Sequence, residues 1–97
     1  MNLKAVKKRK DFATERLYAE FVFKTAEAGS MVRVRGACKA VKVRGSRSSI
    51  ELREGDVGIV HSKEEEQLFY GLFGHQMTVK FGKHQVSLSC QNVEVLA

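Results

Sequence analysis

Seven cations fall within the 21 residues 33–53: Arg33, Arg35, Lys39, Lys42, Arg44, Arg47 and Arg53, with Gly36, Gly45, Ser46, Ser48 and Ser49 interleaved. Guanidinium groups take phosphate oxygens bidentately, and small residues let backbone N–H groups approach the same anion. The chemistry on offer is therefore recognition of an anionic partner, although the same charge also serves plain solubility. A second stretch, QLFYGLFG at residues 67–74, holds Leu68, Phe69, Tyr70, Leu72 and Phe73. So many large apolar side chains need cover. Either they continue a strand and pack on a helix, or Leu68, Phe69, Tyr70 and Phe73 dock another protein or stack bases through Phe69 and Tyr70.

No constellation argues for catalysis. The chain has neither a Walker-type loop nor a G-x-G-x-x-G, and the EGDVG run at residues 54–58 suits a turn better than a phosphate cradle. His61, His75 and His84 lack metal-ligand spacing, and Cys38 and Cys90 stand apart with no C-x-x-C. Such cysteines are usually small buried hydrophobes. Glu64, Glu65 and Glu66 fall in a connection and read as a solvated acidic run. The expectation is a non-enzymatic protein without metal, cofactor or small-molecule substrate.

At 97 residues the chain has room for one modest core, with 43% hydrophobic and 29% charged residues, so it folds as a single domain. Its 17 Lys and Arg against 11 Asp and Glu give a net charge of +6, which favours nucleic acid, anionic lipid or an acidic protein face. The charge is blocky: +5 over residues 1–10, +6 over 31–53 and −4 over 54–66. Such blocks are either solvated faces or contact surfaces. Two cysteines fall far short of a disulfide framework, which points to the cytoplasm or another reducing compartment. No apolar run has the length of a membrane span, and the first residues carry charge where a signal peptide is apolar.

Around these groups the elements follow from pattern. Residues 1–10 form a basic tail, expected to be flexible. Residues 11–28 contain no Gly or Pro and place Leu17, Phe21 and Ala28 on one helical stripe, with Tyr18 and Val22 beside it. Asp11 suits the N-cap and Gly29 the left-handed C-terminal residue. The competing reading makes YAEFVF a strand. From Met31 the texture becomes β: MVRVRG sets Val32 and Val34 against Arg33 and Arg35, AVKVRG sets Val41 and Val43 against Lys42 and Arg44, and VGIVHS alternates around Val57, Ile59 and His61. In residues 75–89, a turn at Gly82-Lys83 pairs Phe81 with His84, Val79 with Val86 and Met77 with Leu88. The other face then pairs Lys80 with Gln85 and Thr78 with Ser87. SCQN is a tight turn, and VEVLA a last strand with Val93 and Val95 facing one way.

That order, carried by EGDVGIV and SCQNVEVL, resembles an SH3-like barrel or KOW-type domain over residues 31–96. The resemblance implies a mainly β fold: a small five-stranded SH3-like barrel over residues 31–97, preceded by one N-terminal α-helix packed on it. Residues 36–54 would be the long excursion between the first two barrel strands, 63–74 a loop, Gly82-Lys83 the distal turn and SCQN the 3-10 turn before the closing strand. Without Trp or an ALYDY-like run, proline-rich ligands do not fit this chain. The expected activity is contact with nucleic acid through its phosphate backbone, led by Arg33, Arg35, Arg44 and Arg47. The alternative is an accessory subunit that meets an acidic or other protein partner through the helix and residues 68–73.

Overall fold

The computed structural model describes residues 4–67 and 73–96, with all of their side chains except those of residues 40, 65–67, 73 and 74. Seven antiparallel strands are described: β1 Met31–Val34, β2 Cys38–Lys42, β3 Ser49–Leu52, β4 Val57–Gln67, β5 Phe73–Phe81, β6 His84–Ser89 and β7 Val93–Val95. They form a five-stranded sheet in the order β6-β5-β4-β1-β7 and a separate two-stranded ribbon, β2-β3. One helix, α1 (Glu15–Thr25), precedes them. The fold is mainly β with one helix, and among the described residues no closed barrel forms.

The β5-β6 hairpin has the register the alternation predicts, with Met77 opposite Leu88, Val79 opposite Val86, Lys80 opposite Gln85 and Phe81 opposite His84. Gly82 sits at φ +60°, the left-handed conformation a tight turn needs at that position. Met77, Val79, Val86 and Leu88 are buried on the inner face, where they meet Val32 and Val34 of β1 and Val93 and Val95 of β7. Ser89 leads into the 3-10 turn Cys90–Asn92 before β7, at the position expected for SCQN.

Three features go beyond or against the sequence pattern. First, β4, whose alternation does not say which side is buried, turns Gly58 and Val60 inward, and Val57 and Ile59 outward. A Cβ on Gly58 would lie 2.6 Å from Val79 Cγ1 and 2.9 Å from the Lys80 carbonyl oxygen, so β5 crosses β4 where only glycine fits. Second, residues 63–67 and 73–74 are not a connection: β4 and β5 continue as a paired arm through Glu64–Gln76, Glu65–His75, Glu66–Gly74 and Gln67–Phe73. Third, α1 is shorter than residues 11–28, and its buried face is rotated. Thr14, not Asp11, is the N-cap, its Oγ1 accepting from Leu17 N–H at 3.1 Å. Tyr18, Ala19 and Val22, with Ala26 just beyond, enter the core, while Leu17 is 47% exposed and Ala28 also faces outward. The choice of face is made by Tyr18, whose hydroxyl donates to the Val93 carbonyl at 2.6 Å and so satisfies a polar atom that burial strips of water. Asp11 instead closes a 3-10 turn, accepting from Lys8 N–H at 3.0 Å. Gly29 does take φ +94°, but in the turn to β1, where its N–H donates to the Val60 carbonyl.

The core lies between the inner face of the sheet, α1 at one end and the ribbon, which contributes Val41, Val43, Ile50 and Leu52. Both sheet edges are covered, which blunts their capacity to pair with another chain. Val43 bridges Val86 on β6, and Ala5 bridges Leu96 just after β7. Val6 N–H adds a bond to the Val95 carbonyl at 2.8 Å, so part of the basic N-terminal segment lies along that edge.

Candidate functional site

The seven cations of residues 33–53 divide into two groups. At one end of the sheet, Arg33 lies directly opposite Glu94 of β7, and its Nη2 meets Glu94 Oε2 at 2.7 Å. Arg35 follows β1 and is held by its surroundings. Its backbone N–H donates to the Asn92 carbonyl at 2.7 Å, its Nη1 donates to the Gln91 carbonyl, and Glu15 lies 3.9 Å away. The guanidinium carbon stands 4.7 Å from the Tyr18 ring centroid, a cation–π contact on a buried ring. Burial pushes the Tyr18 phenol up to about 12, because the phenolate would lose its hydration, and the Arg35 charge opposes that rise. Beside these arginines lies an open cavity of about 420 Å³ lined by Glu15, Arg35, Glu54, Gln91, Asn92 and Glu94. Its charges are largely paired, Glu94 with Arg33, and Glu15 with Arg9 at 2.7 Å and with Arg35 at 3.9 Å, which leaves little free positive charge for a phosphate. Arg53 belongs to the same end: its backbone N–H bonds Asp56 Oδ2 at 2.8 Å in the β3-β4 turn, and that turn is tied to Val34 by two backbone bonds.

The second group lies along the ribbon and its tip. Lys42 stands opposite Ser49, and residues 43–48 turn back through Gly45 at φ +74°. Ser46 Oγ lies 2.7 Å from Ser48 Oγ and accepts Ser48 N–H at 3.1 Å, which shapes the turn. The bridge from Val43 to Val86, together with Arg44 N–H donating to the Gln85 carbonyl at 2.8 Å, places this tip beside the β5-β6 turn. Lys80 and Lys83 thereby join Lys42, Arg44 and Arg47 at one end of the molecule. Arg44 Nη1 also reaches Thr78 Oγ1 at 2.7 Å and Glu64 Oε1 at 3.0 Å, and Thr78 is buried on the sheet's outer face. Lys39, Lys42, Arg47, Lys80 and Lys83 are exposed, and among the described residues none of them forms an ion pair.

Lys80 and Lys83 are the two cations that inspection of residues 33–53 misses. The hairpin register already sets Lys80 beside Gln85 on the face away from the core. No local pattern, however, announces that Val43 will meet Val86.

The remaining candidates carry less. Cys38 and Cys90 are free thiols, and burial pushes Cys90 up to about 12, which keeps it protonated and unreactive. Among the described residues no three His, Cys, Asp or Glu side chains gather as metal ligands, and no described helix is long and apolar enough to cross a membrane. Leu68, Phe69 and Tyr70 lie outside the described residues; Phe73 opens β5, with its side chain likewise outside the description. Compared with models of protein families, with curated proteins and with solved structures, the chain matches none of them.

Proposed function

We propose that the protein is a non-enzymatic binding module that contacts the phosphate backbone of nucleic acid through the basic tip formed by Lys42, Arg44, Arg47, Lys80 and Lys83, with Lys39 at its margin. One observation carries this reading: among the described residues, four of the five tip cations are exposed without an ion pair, whereas Arg33 is paired and Arg35 is held beside Glu15. Arg53 is the one exposed, unpaired cation of the run that stands apart from the tip, in the turn before β4. A cation already neutralised releases little on meeting a phosphate, while an unpaired one displaces condensed counterions from the nucleic acid. The tip's serines and glycine add small polar groups that suit close approach to a backbone.

The strand order supports an SH3-like arrangement within this proposal. A first strand sits beside the last, a three-stranded meander follows, a 3-10 turn precedes the closing strand, and the excursion after β1 holds the ribbon. The alternative, a protein partner met through the helix, has less support, because Tyr18, Val22 and Ala26 of that helix region are buried in the chain's own core.

The test is titration of the full chain against a DNA duplex of random sequence by fluorescence anisotropy at salt concentrations from about 50 to 200 mM. Engagement of three or more phosphates gives a slope of log K against log salt of about −2.7 or steeper. No binding at the lowest salt, or binding indifferent to salt, rejects the reading.

A further inference from the structure

The basic N-terminal segment has a fixed place on the fold. The bridge from Ala5 to Leu96 and the Val6 N–H bond to the Val95 carbonyl at 2.8 Å set it against the edge of β7 that β1 leaves free. Further along, the Phe12 ring packs on Tyr18 and Phe21, with centroids 5.6 Å and 5.2 Å away, and Lys7 Nζ stands 5.8 Å from the Phe12 centroid and 5.6 Å from that of Phe21. Arg9 is paired with Glu15 at 2.7 Å, and the Asp11 carboxylate accepts Lys8 N–H. Lys4, Lys7, Lys8 and Lys10 remain, all exposed and, among the described residues, all without an ion pair. They have the property that marks the tip.

The sheet stands between the two groups. Val43 and Arg44 join the tip to the free edge of β6, and Ala5 and Val6 join the N-terminal segment to the free edge of β7. All five strands lie between those edges. From ribbon to N-terminal segment that is roughly 30 Å along the sheet, at about 4.8 Å for each neighbour. The free charge is not continuous across it, because Arg33 of β1 is neutralised by Glu94 of β7.

We propose, resting on the reading of the tip as a nucleic-acid contact, that the chain bridges two duplexes, one on the tip and the other on Lys4, Lys7, Lys8 and Lys10. A duplex on one edge leaves the lysines of the other edge free, and a second polyanion is the occupant they select, since counterions are released at each surface separately. A monomer with two such surfaces links duplexes without pairing to another copy.

The test is retention of a free, fluorescently labelled DNA duplex on a bead-tethered duplex, both of random sequence, by the full chain at about 50 mM salt. Retention is expected with protein kept below the amount of tethered duplex. Lys4→Gln, Lys7→Gln, Lys8→Gln and Lys10→Gln together, which keep the backbone bonds of Ala5 and Val6, lower it about tenfold or more. Anisotropy still shows that variant binding a single duplex through the tip, and arginine at the same four positions keeps retention. Lys42→Ala, Arg47→Ala and Lys83→Ala together lower retention likewise. A chain that binds single duplexes but retains none overturns bridging and leaves the reading of the tip standing; a chain that binds no duplex overturns both. Retention undiminished in the glutamine variant also overturns bridging by this segment, because the second duplex is then held elsewhere. Should loss of the Lys7 ring contacts unfold that variant, as circular dichroism would show, the variant that keeps Lys7 and changes the other three lysines decides the matter.

Discussion

Arg33 and Arg47 are 14 residues apart in one basic run, yet they stand in opposite electrostatic situations. Arg33 extends between β4 and β7 and ends 2.7 Å from a carboxylate 61 residues away. Arg47 stands on an exposed tip, with no ion pair among the described residues. The Arg33–Arg35 pair is part of the fold: Arg33 neutralises Glu94, and Arg35 stacks on Tyr18 beside Glu15. The tip, with Lys42, Lys80 and Lys83, holds charge that forms no ion pair among the described residues. A run of cations is therefore not one surface: tertiary contacts bring some of its members a carboxylate, as Glu94 reaches Arg33, and leave others such as Arg47 without an ion pair among the described residues.

The contrast can be broken most sharply at the tip. A chain carrying Lys42→Ala, Arg47→Ala and Lys83→Ala together is expected to lose about 2.7 from the magnitude of the log K against log salt slope, if each residue meets one phosphate. Its urea unfolding should stay within about 0.5 kcal/mol of the parent, since these exposed side chains form no ion pair among the described residues. A large loss of stability with an unchanged salt slope would reverse the assignment of the two ends.

Arg33→Ala tests the ion-paired group. It leaves Glu94, whose side chain is only 17% exposed, without its partner. The expected cost is on the order of 2 kcal/mol in urea unfolding, with the salt slope nearly unchanged. An Arg33→Ala chain of parental stability would remove the claim that this end is structural.

The buried end should also show in alkali. Folding raises Tyr18 from 10.0 and Cys90 from 9.0 to about 12 each, so the unfolded chain gives up these protons first. Their contribution to stability is complete below about pH 9 and is lost as pH rises toward 12. Urea midpoints measured across that range should fall less steeply in Tyr18→Phe and Cys90→Ala than in the parent. The tip variant should follow the parent.

Arg44 gives the smallest effect, because it belongs partly to each group. Its pair with Glu64 is half-exposed on both sides and contributes little, but its bond to the buried Thr78 hydroxyl holds more, so Arg44→Ala is expected to cost about 1 kcal/mol while lowering the salt slope by about 0.9 or less. A stability loss as large as that of Arg33→Ala would move Arg44 into the structural group.

Much of the β architecture was legible. Alternation from Met77 to Leu88 around Gly82 admits one register, because a slip by one residue carries every valine to the wet face. The Val32-Val34 and Val93-Val95 pairs likewise announce their inner faces. The helix face was not legible, since Leu17 and Tyr18 compete for the core and the winner is the one whose hydroxyl finds the Val93 carbonyl. Nor was the parity of β4. Val57 and Ile59 look like core until Val79 and the Lys80 backbone cross at Gly58 and leave no room for a side chain there. The Glu64–Glu66 run has the composition of a loop, and it is strand because β5 pairs with it.

Taken alone, the sequence determined the inventory: which residues are cationic, which hairpin forms and in what register, and that the domain is small, basic and mainly β. These properties depend on composition and on neighbours within a few residues. Which cations are neutralised was decided only by the tertiary structure, and so was the end of the molecule on which the remainder gather. Charges interact over a few ångströms of space, and strand pairing, not position in the chain, puts Glu94 beside Arg33 and Lys83 beside the ribbon's tip.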